Sequence, residues 1–212
     1  SQLFTKSLKL NQQYNFILSQ SSTGISIQAM YYNVITGTWA STWVGTAIAD
    51  NPSTTKPFDC CKIDNSHFVV GYIDTSDNLK FVTYRVTDVW LELADVYAVN
   101  AAQTYDSVRL TQSWGGVSEI YRYGNVSYFA ERVDTGFIER GNLTYHANFS
   151  IQTIDAYTTT IAVWANSVNF QVHWLDYQQS TVVLYCEPST WDYAIIDNWG
   201  AILCSNTGWW FA

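Results

Sequence analysis

The stretch VVGYIDTSDNLKFVTYRVTD (69–88) sets two alternating apolar runs on either side of a short polar turn. Successive side chains of a strand point to opposite faces. Phe68, Val70 and Tyr72 therefore share one face, and Val69 and Ile73 the other. Both faces are apolar, which predicts a central strand buried on both sides. After the TSDN turn, Val82, Tyr84 and Val86 share one face, while Phe81, Thr83, Arg85 and Thr87 share the other. DTSDN (74–78) lacks the D-x-D-x-D-G spacing of a calcium loop, and its Asp and Asn suit a hairpin turn.

This unit recurs. Hairpins of the same kind are predicted near 14–33, 67–88, 117–134, 160–177 and 191–204. Anchored at Phe16, Phe68, Val117, Ile161 and Tyr193, they are spaced by 52, 49, 44 and 32 residues. Between them lie further strand-like runs, TWASTWVGTAIA, VWLELADVYAV and GNLTYHANFSIQTI. Helical periodicity is nearly absent; the one weak candidate, DVWLELADVYAV (88–99), is rich in Val and Tyr and reads better as strand. ADNPSTTKP (49–57) is the clearest connecting loop. No composition shift marks a second domain, so residues 1–212 are expected to form a single all-β domain.

The hydrophobic–aromatic–turn–strand unit, as in VVGYIDTSDNLKFVTYRV, resembles a blade of small lectin-type β-propellers. The first three spacings lie near the roughly 40–50 residues of a propeller blade. The resemblance implies a β-propeller-like fold of about five hairpin repeats, although neither a WD dipeptide nor a kelch double glycine is present. The alternative is a two-sheet β-sandwich, Ig-like or jelly-roll, whose short strands also meet turn signals often.

Only 13% of residues are charged, against about 25% in an average soluble protein. Such a surface, built from Ser, Thr, Asn, Gln and Tyr, points to an extracellular, secreted or surface-associated protein. SQLFTKSLKL (1–10) has no apolar core of a signal peptide, so such a segment is expected to be absent or removed. The net charge of −8, with no basic stripe, argues against nucleic acid and anionic membrane surfaces as partners. No run of 18 apolar residues is present to cross a bilayer as a helix.

Four cysteines, Cys60, Cys61, Cys186 and Cys204, lack C-x-x-C spacing, so no metal site is expected. Cys186 and Cys204 are candidates to close one local hairpin with a disulfide, leaving Cys60 and Cys61 free or joined to each other. Three sequons begin at Asn125, Asn142 and Asn148. Asn142, after Gly141 in an expected loop, is the foremost candidate for glycosylation.

No cofactor is expected, and no catalytic motif stands out. Asp64, Asp155 and Asp192 are the candidates for the paired carboxylates of glycoside hydrolysis, but acidic residues at turns are ordinary. The chain is expected not to be an enzyme. Ten Trp, fifteen Tyr and ten Phe suit a sheet core, with some rings left as platforms for sugars. The favoured expectation is a binding module recognising glycans at a cell or matrix surface. The second strands of the hairpins supply its candidate residues: Gln28 with Tyr31, Tyr84 with Arg85, Tyr128 with Glu131 or Arg132, and His173 with Trp174. The alternative is a self-assembling fibre or coat subunit, a homo-oligomer that donates FTKSLKL (4–10) to a neighbouring copy or docks through GWWFA (208–212).

Overall fold

The computed structural model of the chain describes side chains over residues 3–112, apart from 42–44, 46, 88–90 and 100–102, and beyond these the backbone of the strands as far as residue 204. The chain divides into two compact units, 1–110 and 111–212. All regular structure among the described residues is β.

In the first unit, β1 (Phe4–Lys9), β2 (Tyr14–Ser21), β3 (Gly24–Asn33) and β4 (Thr38–Ile48) form one antiparallel meander in sequence order. A second meander follows: β5 (Asp59–Lys62), β6 (His67–Ile73), β7 (Leu79–Val86) and β8 (Leu91–Ala98). A third sheet holds β9 (Tyr105–Ser113), β10 (Gly116–Tyr123), β11 (Val126–Val133) and β12 (Gly136–Leu143). A fourth holds β13 (Asn148–Thr153), β14 (Thr158–Asn166), β15 (Asn169–Asp176) and β16 (Val182–Cys186). β17 (Ala194–Ile196) and β18 (Ile202–Cys204) pair as a hairpin.

All five expected hairpins are present, and in each four-stranded sheet the hairpin is the central strand pair. Each sheet comes from one contiguous segment. A two-sheet sandwich would exchange strands between sheets through Greek-key connections, so that alternative is corrected by the topology. The ambiguous 88–99 stretch supplies strand β8, and the 49–57 loop joins the first sheet to the second.

The core of the first unit lies between its two sheets. Phe16 of β2 meets Phe68 of β6 with ring centroids 4.9 Å apart. Tyr14 extends this row on one side and Tyr84 on the other, at 6.4 Å from Phe16 and 5.4 Å from Phe68. Leu8, Leu18, Ile25, Ile27, Ile48, Phe58, Val70 and Val82 fill the space around the rings. β6 is buried on both faces from Phe68 to Ile73, as the apolar pattern predicts. Gly71 faces Phe81 across the β6–β7 pair, and a Cβ there would lie 2.7 Å from the Phe81 ring, so only glycine leaves room for it.

Polar side chains fix the connections. Gln20 is fully buried; its Nε2 donates to the carbonyls of Ser53 (2.5 Å) and Lys56 (3.1 Å), and its Oε1 accepts from Phe58 N (3.0 Å). In the DTSDN turn, Asp74 accepts from Ser76 N at 2.8 Å and Asn78 N at 3.0 Å, and Asp77 takes a positive φ of 65°. The turn reading of that stretch is the one the geometry shows.

Of FTKSLKL, residues Phe4–Lys9 form β1, which pairs with β2 of its own chain, Phe4 opposite Gln20 through Lys9 opposite Asn15. Two sequence expectations are corrected by the backbone. Asn142 is not in a loop. It lies in β12 opposite Tyr128, just past a bulge where register shifts between Phe129 and Ala130; glycine beside a bulge is a common device in strands. Cys186 and Cys204 do not share a hairpin: Cys186 ends β16 opposite Val172, and Cys204 ends β18 opposite Ala194. Their side chains lie outside the described residues, as do Asn125 and the GWWFA tail. Asn148 opens β13 opposite Trp164. Cys60 and Cys61 are not joined in a disulfide.

Candidate functional site

The turn after the first strand of each sheet in the first unit is built twice from nearly the same residues. KLNQQY (9–14) follows β1, and KIDNSH (62–67) follows β5. In the first, Leu10 N and Asn11 N both donate to Tyr14 O, at 3.0 and 3.3 Å; in the second, Ile63 N and Asp64 N donate to His67 O, at 2.9 and 3.2 Å. Asn11 Oδ1 accepts from Gln13 N and Tyr14 N at 2.8 and 2.9 Å. Asp64 Oδ1 accepts from Ser66 N and His67 N at 2.6 and 2.7 Å. An Asn or Asp at this position mimics a backbone turn with its own side chain, which explains why the two share it.

The two turns interlock. Asn11 Nδ2 donates to Asn65 O at 2.8 Å, and Lys62 Nζ donates to Asn65 Oδ1 at 2.8 Å. Tyr32 N, just before the end of β3, donates to Gln13 O at 2.8 Å. Between these elements opens a cleft of about 680 Å³, lined by Lys9, Leu10, Asn11, Gln12, Gln13, Tyr32, Val34, Lys62 and Asn65. That volume falls within the roughly 300–1,000 Å³ of small-molecule sites. Tyr32 is braced by Trp39 across the β3–β4 pair, with centroids 5.2 Å apart. The lining thus offers an aromatic ring, carboxamides that both donate and accept, and two ammonium groups. Those are the groups that bind hydroxyl-bearing rings.

Asp64 stands behind the cleft and does not line it. Burial pushes its carboxyl up, but the hydrogen bonds from Ser66 and His67 outweigh burial and hold it below the usual carboxylate range. Its Oδ2 lies 2.9 Å from His67 Nδ1. This carboxylate is occupied in holding the turn, which is not the arrangement of an acid or base aimed at a glycosidic bond. Asp155 and Asp192 lie outside the described residues.

Among the described residues, the second-strand candidates Gln28, Tyr31, Tyr84 and Arg85 do not line the cleft. Gln28 is half-buried, opposite Ile17 and Trp43. Tyr31 is half-buried against Tyr14, with ring centroids 5.3 Å apart. Tyr84 is corrected from platform to core. It is 4% exposed, stacks on Phe68 and donates its hydroxyl to Ala47 O at 2.9 Å; burial pushes its phenol up to about 12. Arg85 is exposed between His67 and Glu92, on the opposite side of β7 from Tyr84. The two therefore cannot serve one pocket. Tyr128, Glu131 and Arg132 lie on β11, opposite Tyr121, Ser118 and Val117 of β10. His173 and Trp174 lie on β15, opposite Ile161 and Thr160. Side chains in these two strands are outside the described residues.

The cleft residues Lys9, Asn11, Gln12, Gln13, Tyr32, Lys62 and Asn65 were not among the sequence candidates. The signal for all of these but Tyr32 is the turn repeat itself, offset by 53 residues between Lys9 and Lys62.

No family model and no curated protein sequence matches the chain. Solved structures do. A fucose-specific lectin from Aleuria aurantia superposes with a TM-score of 0.55 at 12% identity, covering 84% of this chain and 58% of the lectin. A mutant of the same lectin in complex with α-methyl-L-fucoside gives 0.53 at 12% identity, covering 84% and 57%. A further structure of that lectin, described as a six-bladed β-propeller, gives 0.47 at 11% identity, covering 92% and 58%. The chain spans somewhat under three-fifths of the length of these lectins. With its successive four-stranded antiparallel meanders, the chain has the fold of the lectin-type β-propellers.

Proposed function

We propose that the chain is a non-catalytic carbohydrate-binding module, and that the cleft between the first and second sheets is a glycan site. The observation that carries this reading is the cleft's lining: a braced Tyr32 ring together with the carboxamides of Gln12, Gln13 and Asn65. A sugar presents an apolar face for an aromatic ring and hydroxyls for fixed donors and acceptors. Support comes also from the fold, shared with lectins of which one is fucose-specific. The low charge content suits work outside the cell, on glycan-bearing surfaces.

A glycan array read with the wild type, followed by calorimetry on the best binder, tests this. Tyr32→Ala removes the ring and is expected to weaken binding about three- to tenfold, the range of one aromatic contact. Trp174→Ala tests the second-strand location on β15 and is expected to leave affinity unchanged. Retention of no glycan, or unchanged affinity in Tyr32→Ala with a loss in Trp174→Ala, overturns the reading of the cleft.

A further inference from the structure

We propose that the cleft selects negatively charged sugars, those bearing a carboxylate, over neutral ones; this rests on the cleft being a glycan site. The argument is the pairing of the lysines. The chain has five, all in the first unit. Lys6 Nζ lies 3.2 Å from Asp59, Lys56 Nζ lies 2.6 Å from Asp77, and Lys80 Nζ lies 2.5 Å from Asp50 and 2.9 Å from Asp74. The remaining two are Lys9 and Lys62, and among the described residues neither has a carboxylate partner. Both line the cleft, and among the described residues no carboxylate lines it with them.

This is unusual for a chain with 18 acidic and 10 basic residues, where a lysine finds an acid easily. The two occupy matching positions: each is the last residue of the first strand in its sheet, Lys9 of β1 and Lys62 of β5. Lys9 is exposed, and Lys62 donates to a neutral amide oxygen. Like charges brought to one cleft repel each other, and an anion placed between them is held by both. A sugar carboxylate answers that need. It accepts charge-assisted hydrogen bonds from the ammoniums, while its ring lies against Tyr32 and its hydroxyls meet the carboxamides. A neutral sugar leaves the lysines unanswered.

The test uses an array on which each acidic glycan stands beside its carboxyl-reduced counterpart, identical except for CH₂OH in place of the carboxylate. The expected result is retention of acidic glycans, with the reduced forms weaker by about five- to twentyfold, as two ion pairs of modest strength would give. The advantage shrinks as salt rises. Lys9→Ala and Lys62→Ala each cut the acidic preference about three- to fivefold, and Lys62→Arg, which keeps the charge, restores most of it. Equal binding of acidic and reduced partners, or retention of neutral glycans alone, overturns the acidic preference while the glycan site stands. Retention of nothing overturns both. An acidic preference that Lys62→Arg loses as fully as Lys62→Ala overturns the electrostatic role of Lys62.

Discussion

Lys6 Nζ lies 3.2 Å from Asp59 Oδ1, and this ion pair ties β1 of the first sheet to β5 of the second. Asp59 does more than meet a lysine. It is 7% exposed, its Oδ1 also accepts from Cys60 N at 3.0 Å, and its Oδ2 accepts from Leu110 N at 3.0 Å. The carboxylate therefore holds three donors from three strands. Replacing it with alanine strands buried N–H groups, which costs about 1–3 kcal/mol. Lys6→Ala removes only the half-exposed partner and costs under about 1 kcal/mol. Urea denaturation of both variants checks this ordering; equal losses would mean that the ion pair, and not the backbone contacts, sets the value of Asp59.

Gln20 plays the corresponding part for the 49–57 loop. Its carboxamide satisfies two carbonyls and one N–H of the segment from Ser53 to Phe58. Gln20→Leu keeps the bulk but leaves Phe58 N without its acceptor, at a cost of about 1–3 kcal/mol. Gln28→Leu, on the neighbouring half-buried position of β3, is expected to change stability by under about 0.5 kcal/mol. Denaturation midpoints at constant slope distinguish the two. A neutral Gln20→Leu would show that water replaces the side chain in holding the loop.

The strands were legible because alternation and turn chemistry are local signals. Phe68, Val70 and Tyr72 alternate with Val69 and Ile73, and the structure buries all five. Side-chain roles were less legible because they depend on which strand packs on which. Tyr84 looked like a platform beside exposed Arg85, yet the neighbouring sheet offers it the Ala47 carbonyl and the Phe68 ring. Gly141 suggested a loop, but here glycine accompanies a bulge and the strand runs on to Leu143. The cleft is less legible because most of its lining comes from turns after first strands, where polar residues read as mere connectors, and only Tyr32 and Val34 come from β3 and the turn after it. The interlock of Asn11 with Asn65, 54 residues apart, brings the two turns to one place.

The thiol of Cys60 is expected to be inert in the folded chain. Burial pushes it up to about 12, and the neighbouring Asp59 carboxylate adds to the shift, while Lys6 opposes it. At pH 8 the sulfur therefore stays in its unreactive thiol form. Alkylation with iodoacetamide, read by peptide mass, should leave Cys60 unmodified in the native protein and label it fully in denaturant. In Asp59→Asn, where the adjacent negative charge is gone, labelling at high pH should become faster. A Cys60 that labels rapidly at pH 8 in the folded protein would contradict the burial of its sulfur.

Acid should loosen the DTSDN hairpin through Asp74. Burial raises its carboxyl, but the hydrogen bonds from Lys80, Asn78 and Ser76 outweigh burial and hold it below its ordinary value of 3.8. A carboxylate whose folded value is depressed contributes stability that is fully present above the unfolded value. That contribution is lost as pH falls through the folded one. Lys80 shifts upward under the same partners, Asp50 and Asp74, although burial opposes it. Its share is therefore present at neutral pH and is lost only far into the alkaline range. The expected behaviour is a urea midpoint that is flat from pH 7 to about pH 5 and falls steadily below about pH 4. Asp74→Asn should lower the midpoint at pH 7, because Lys80 loses one of its two carboxylates, and should flatten the acid limb. If Asp74→Asn and the wild type lose stability in parallel between pH 5 and pH 2, the acid sensitivity lies in other carboxylates. Asp64, held low by Ser66 and His67 beside the cleft, would be the next to substitute.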